Sequence, residues 1–169
     1  GREQMQSVLT DELPWQQIIT SPLSRCASFA ADLSRDTGLS LAYEPRFIEM
    51  SFGQWEGKTA EAIEENDPHH FFAFYDDPVL NTPPQAETLI AFQQRCISAW
   101  QAMLKQYGQR HILLVTHAGV IRLLLAHILS MPLQALFHID VPFACLSRVE
   151  VYSDGNGDFA RVLFHAGQL

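Results

Sequence analysis

Cysteine is scarce in this chain of 169 residues. Cys26, Cys96 and Cys145 are odd in number and have no framework spacing, which excludes a disulfide scaffold and reads as thiols in a reducing, cytoplasmic compartment. Positive charge is also short. Eleven Lys and Arg stand against 19 Asp and Glu, for a formal net charge of −8 and a pI of about 5.2. That balance argues against nucleic acid and anionic membrane as general partners, so an anionic ligand needs a local island of positive charge. No apolar run reads as a membrane span, because residues 112–129 are interrupted by His117, Arg122 and His127 and split by a turn. Signal peptide, internal repeat and low-complexity segment are not visible. No metal is expected: no His/Cys/Asp/Glu set has ligand spacing, and adjacent His69 and His70 would point about 100° apart on a helix, as on a surface or flap.

What is present is a 47% hydrophobic composition, enough for one domain with a substantial core. Residues 112–129 organise it. Ile112 to Val115 is short, apolar and β-branched, as a buried strand is. Thr116-His117-Ala118-Gly119 then makes a turn, and Val120 to Leu129 continues as an apolar helix stopped by Pro132. Such a unit sets a helix N-terminus, with its free N–H groups, at the carboxyl edge of a parallel sheet. His117 either caps that helix or faces an anion bound there.

A second unit precedes it. Residues 15–20 read as a strand, Ser21-Pro22 as N-cap and first helical residue, and Leu23, Cys26, Phe29, Ala30 and Leu33 as one helix face. Arg25 falls in the first turn of that helix, where a cation opposes the dipole; by itself it also reads as a surface arginine. Residues 39–43 are a short strand ended by Pro45. Glu49 follows among Phe47, Ile48, Met50 and Phe52, either closed in by them, which would raise its carboxyl pKa, or turned outward on an alternating segment. Residues 58–84 read as short helices and a proline-containing linker, dense in aromatics, forming a substrate-covering cap or simple packing. Residues 87–107 read as a long amphipathic helix with Gly108 at its end. A short helix at 133–137, a strand at 145–152, a turn at 154–158 and a strand at 159–164 complete the chain, the last two strands forming an antiparallel edge. Residues 1–10 read as the end of, or approach to, a helix.

Arg25, Glu49 and His117 all fall at or just beyond strand ends, which share one edge in an open α/β sheet. A guanidinium forks onto phosphate oxygens, a protonated imidazole adds charge and a hydrogen bond, and a carboxyl of raised pKa protonates a leaving alkoxide. The set reads as phosphoryl transfer without a metal, and it lacks a nucleophile.

Ser21-Pro22-Leu23-Ser24-Arg25, the run from Glu49 to Gly57 (EMSFGQWEG) and Val115-Thr116-His117-Ala118-Gly119-Val120-Ile121-Arg122 resemble, in order, three motifs of the histidine phosphatase superfamily. The Glu-Met-x-Phe-Gly-x-Trp-Glu run and the tail from Met131 are most similar to the α-ribazole phosphatases of cobalamin synthesis. The resemblance implies a three-layer α/β fold of phosphoglycerate-mutase type: a mostly parallel sheet, helices on both faces and an antiparallel edge hairpin. It also implies a metal-independent phosphomonoesterase with a phosphohistidine intermediate and no cofactor. Its substrate would be small and phosphorylated, with α-ribazole 5'-phosphate the nearest candidate, and a homodimer is compatible with it. By the same resemblance Arg25 clamps phosphate, and His117 holds the phosphoryl oxygens with the Ala118 N–H beside it. Glu49 protonates the departing oxygen and then activates water.

The family's Arg-His-Gly motif, which carries the nucleophile at the end of a central first strand, is absent from residues 1–169, and the chain opens on Gly1. The expectation is therefore that strand and nucleophile lie upstream. Pro84-Gln85-Ala86-Glu87-Thr88 replaces the family's Gly-Gly-Glu-Ser loop, which weakens the case for a phosphate contact by Glu87. The alternatives are a mutase, a phosphatase of another sugar phosphate or phosphoprotein, and a phosphate-binding module without turnover. A cysteine hydrolase is disfavoured, because no cysteine sits in a strand-end turn like that of His117.

Overall fold

A computed structural model describes residues 13–153 and 158–167. The expectation for residues 1–10, and that for the turn at 154–158 as far as residue 157, lie outside the described residues. In chain order the elements are β1 (Gln17–Thr20), α1 (Ser24–Thr37), β2 (Ser40–Tyr43), α2 (Ala60–Asn66), α3 (Pro68–Asp76), α4 (Leu89–Tyr107), β3 (Ile112–Val115), α5 (Ala118–Ile128), β4 (Ser147–Ser153) and β5 (Asp158–His165), with 3₁₀ turns at Pro45–Phe47, Gly53–Trp55 and Leu133–His138.

Three parallel strands run in the order β2-β1-β3, with Thr20 level with both Tyr43 and Val115. Period-two alternation divides the core between two faces. Ile18, Leu41, Leu113 and Val115 meet Cys26, Phe29, Ala30 and Leu33 of α1. Ile19, Ala42 and Leu114 meet Phe92, Cys96 and Met103 of α4 and Val120 and Leu123 of α5 on the other face. The result is the expected three-layer arrangement. Among the described residues no helix is long and apolar enough to cross a membrane.

Two helix starts shift. α1 begins at Ser24 with Leu23 at its N-cap position, so Ser21-Pro22 lies in the bend that links β1 to the helix rather than capping it. α4 begins at Leu89, where Thr88 Oγ1 accepts the Ala91 N–H at 3.2 Å. The expected antiparallel hairpin is present. β4 and β5 form a separate sheet and, among the described residues, β3 pairs with β1 alone. Between β3 and β4 lies a cavity of about 470 Å³, lined by Ile112, Leu114, Leu124, Leu125, Leu146 and Val149. The hairpin stays in place because β5 packs on α5 instead of pairing with β3.

Candidate active site

The register of β1 and β3 dictates what meets at the carboxyl edge. With Thr20 beside Val115, the next residues of each strand continue side by side, and the Ser21 N–H donates to Val115 O at 3.0 Å. Arg25, one turn further along α1, therefore reaches His117, the N-cap of α5, and Arg25 Nε donates to His117 Nδ1 at 3.0 Å. A guanidinium only donates, so Nδ1 is the accepting nitrogen and Nε2 carries the proton. Nε2 then donates to Ser21 Oγ at 2.7 Å.

This geometry corrects one expectation. His117 is only 5% exposed, and burial, with Arg25 and then Arg95 adding repulsion, lowers its pKa to about 4. At neutral pH the imidazole is therefore uncharged, and Arg25 supplies the positive charge. Cys26 packs against the same ring, with Sγ 3.7 and 3.8 Å from its nitrogens, and donates to Thr116 O at 3.3 Å.

Glu49 approaches from the opposite side. A 3₁₀ turn over Pro45–Phe47, capped by the Glu44 side chain, directs the chain toward the start of α5. Thr116 Oγ1 donates to Phe47 O at 2.9 Å, tying this segment to the β3–α5 turn. Glu49 is half-buried, and its carboxylate meets backbone donors rather than an apolar enclosure. Oε1 accepts the Met50 N–H at 3.0 Å, and Oε2 accepts the Gly119 N–H at 3.1 Å in the first turn of α5. The carboxylate can lie there because residue 119 is glycine: a β-carbon would overlap Glu49 Oε1 and displace it.

Arg25, Glu49, His117 and Ala118, the first residue of α5, thus meet at one helix N-terminus, as their strand-end positions predict. Ser21, Thr116 and Gly119 belong to the same cluster and were not singled out by sequence. Ser21 has the pattern of an N-cap, which conceals a buried partner for histidine. Glu87 takes no place beside them: its carboxylate is forked by Arg95 at 2.7 and 2.8 Å. His69 and His70 stack edge to face, with His70 Nδ1 2.7 Å from Asp67 Oδ1. The aromatics of 58–84 largely pack together, Phe74 lying buried against Phe52, Trp55 and Phe137.

With this geometry in place, comparison with known proteins is direct. The sequence profile of the Histidine phosphatase superfamily (branch 1) matches residues 1–161. The chain is similar to the adenosylcobalamin/alpha-ribazole phosphatase of Escherichia coli K12, with 29% identity over 154 residues, covering 89% of this chain and 75% of that protein. The crystal structure of the alpha-ribazole phosphatase from Shigella flexneri superposes with a TM-score of 0.78 at 29% identity, covering 96% of this chain and 80% of that one. A mycobacterial glucosyl-3-phosphoglycerate phosphatase shares the fold, with a TM-score of 0.81 at 23% identity over 96% of this chain and 82% of that one.

Proposed function

The chain belongs to branch 1 of the histidine phosphatase superfamily, and from that membership we propose that it is a metal-independent phosphomonoesterase working through a phosphohistidine. The observation that carries the reading is the meeting of Arg25, His117 and Glu49 at the N-terminus of α5. The substrate phosphate lies against that terminus, bound by the outer nitrogens of Arg25, by His117 and by the Ala118 N–H. A histidine attacks phosphorus, the P–O bond to the substrate breaks, and Glu49 gives its proton to the leaving oxygen. Glu49 then takes a proton from water, whose oxygen attacks the phosphohistidine and releases phosphate and the free imidazole.

The attacking histidine is assigned to a strand seated between β3 and β4. The edges of β3 and β4 that are without a strand partner among the described residues, and the intervening cavity of about 470 Å³, support that seat. The two layers of core on either face of β2-β1-β3, with β5 packed on α5, support a single domain, and residues 58–84, packed through Phe74 on Phe52 and Phe137, are the proposed cap. The relatives named for alpha-ribazole support α-ribazole 5'-phosphate as the substrate. Three free thiols fit a reducing cytoplasm.

The test is phosphate release from α-ribazole 5'-phosphate by the full natural polypeptide in EDTA, with ³²P-labelled substrate to trap an acid-labile, alkali-stable phosphoenzyme. Turnover with trapped label, cut about 10²-fold or more by His117→Ala, is expected. Phosphate binding without release would instead identify a binding module, and isomerisation of 3-phosphoglycerate a mutase.

A further inference from the structure

The segment that carries Glu49 makes little use of regular secondary structure. Beyond the 3₁₀ turn at Pro45–Phe47, its backbone passes through an irregular stretch before the next turn at Gly53–Trp55. Four consecutive carbonyls in it are nevertheless bound by side chains. Thr116 Oγ1 donates to Phe47 O at 2.9 Å. The other three go to a single residue on α4: Arg95 Nη1 donates to Arg46 O at 2.7 Å and to Ile48 O at 2.8 Å, and Nη2 donates to Glu49 O at 3.0 Å. Nε and the second Nη2 proton fork onto Glu87, and the guanidinium lies 4.7 Å above the Phe92 ring. A guanidinium has five N–H donors, and all five are matched.

We propose that Arg95 is the positioning residue for the general acid, fixing Glu49 at the N-terminus of α5 through the backbone on which it is mounted. The inference rests on Glu49 being the acid. Arg95 does not itself reach the Glu49 carboxylate; it clamps the carbonyls on either side of the residue's own amide, leaving the side chain to meet Met50 N and Gly119 N. Glu87 turns the fork in the required direction, and its own N–H donates to Ser51 O at 3.0 Å, closing a second tie to the same segment. Gln54 N adds a third, to Pro84 O at 3.0 Å. Lysine has the charge but not the planar fork, and cannot hold three carbonyls and a carboxylate together. Loss of the clamp lets the carboxyl wander, and a misplacement of about 1 Å costs on the order of 10²-fold in a catalytic step.

The test uses the full polypeptide with Arg95→Lys, Arg95→Met, Glu49→Gln and the Glu49→Gln/Arg95→Lys double variant. Turnover is measured on an alkyl phosphate, whose leaving group needs a proton, and on p-nitrophenyl phosphate, whose leaving group does not; inhibition by inorganic phosphate reports the phosphate pocket. Arg95→Lys is expected to lower kcat/KM, which reports formation of the phosphoenzyme and not its hydrolysis, by about 10- to 100-fold on the alkyl ester, to change it less than about 3-fold on the aryl ester, and to leave phosphate inhibition unchanged. The double variant is expected to lose no more kcat/KM than Glu49→Gln alone, since both act through the same carboxyl group. Equal loss on the two esters, no loss on either, or multiplicative losses in the double variant would overturn the positioning role. If Arg95→Met does not fold, the lysine variant and the cycle still decide. Should Glu49→Gln itself show no leaving-group dependence, the acid assignment fails first, and the proposal with it.

Discussion

Glu49 Oε2 and Gly119 N stand 3.1 Å apart across 70 positions of sequence, and the contact exists because residue 119 has no side chain. Alanine is the better helix former by about 1 kcal/mol, so replacement of a glycine inside α5 is ordinarily stabilising. Here the new methyl would occupy the place of Oε1, the far end of a flexible side chain, and the carboxylate would swing away. Gly119→Ala is therefore expected to keep stability within about 1 kcal/mol of the parent in urea melts while lowering turnover of alkyl phosphates by about 10- to 100-fold. A severe loss of stability would mean that the backbone, rather than Glu49, yields.

The pH dependence of stability isolates His117. Its pKa falls from 6.5 to about 4 on folding, so between those values the unfolded chain binds more protons than the folded one. Stability from this group is complete above pH 6.5 and is lost as pH falls toward 4, by an amount on the order of 3 kcal/mol. Glu44, held below the usual carboxylate range first by Arg46, acts in the same direction at lower pH. Urea melts at pH 7 and pH 4.5 should show a clearly smaller loss in His117→Gln than in the parent, because the variant has nothing to titrate at this buried position. Equal losses would place the charged imidazole comfortably inside the fold.

What sequence conveyed and what it concealed separate along physical lines. The β3–α5 unit was legible because a β-branched run, a small polar turn and an apolar run each have local causes. Arg25, Glu49 and His117 converge because parallel strands bring their ends to one edge, a consequence of topology. Arg95 was not legible: three of its five bonds go to backbone carbonyls, which have no residue identity to read. The charge state of His117 depends on burial and on Arg25, which lies 92 positions away. The separation of β4 and β5 from β3 is a matter of non-local pairing, and an alternating pattern in each strand says nothing about which edge it joins.

Thiol reactivity should follow burial. Burial pushes the Cys26 thiol up to about 11 and that of Cys96 up to about 12, and both side chains are enclosed. At pH 8 such thiols are nearly all protonated, so each should alkylate more than about 10²-fold slower than a free thiol. Cys145 is half-exposed beside Ser147 and His165. Iodoacetamide on the native protein is expected to label Cys145 first and alone, with Cys26 and Cys96 reacting after unfolding, as peptide mapping would read. Early labelling of Cys26 would show that the wall behind His117 is open.

Ser21 offers the most discriminating change, because His117 has one donor and it is already engaged. Nδ1 accepts from Arg25, so a phosphoryl oxygen can be bound only through Nε2–H, which in this state points to Ser21 Oγ at 2.7 Å. Binding phosphate through His117 therefore means exchanging the serine for the anion. Ser21→Ala removes the acceptor that phosphate would displace. The buried Nε2–H is left unmatched, and the free protein should lose about 1–3 kcal/mol. The same loss falls away once phosphate supplies the acceptor, so inhibition by inorganic phosphate should tighten, by up to about tenfold for 1.4 kcal/mol recovered. A variant that is less stable yet binds phosphate more tightly would show that serine and phosphate compete for one proton. Weaker phosphate binding would mean that the Ser21–His117 bond persists in the complex, and that His117 acts by shaping the pocket rather than by touching the phosphoryl group.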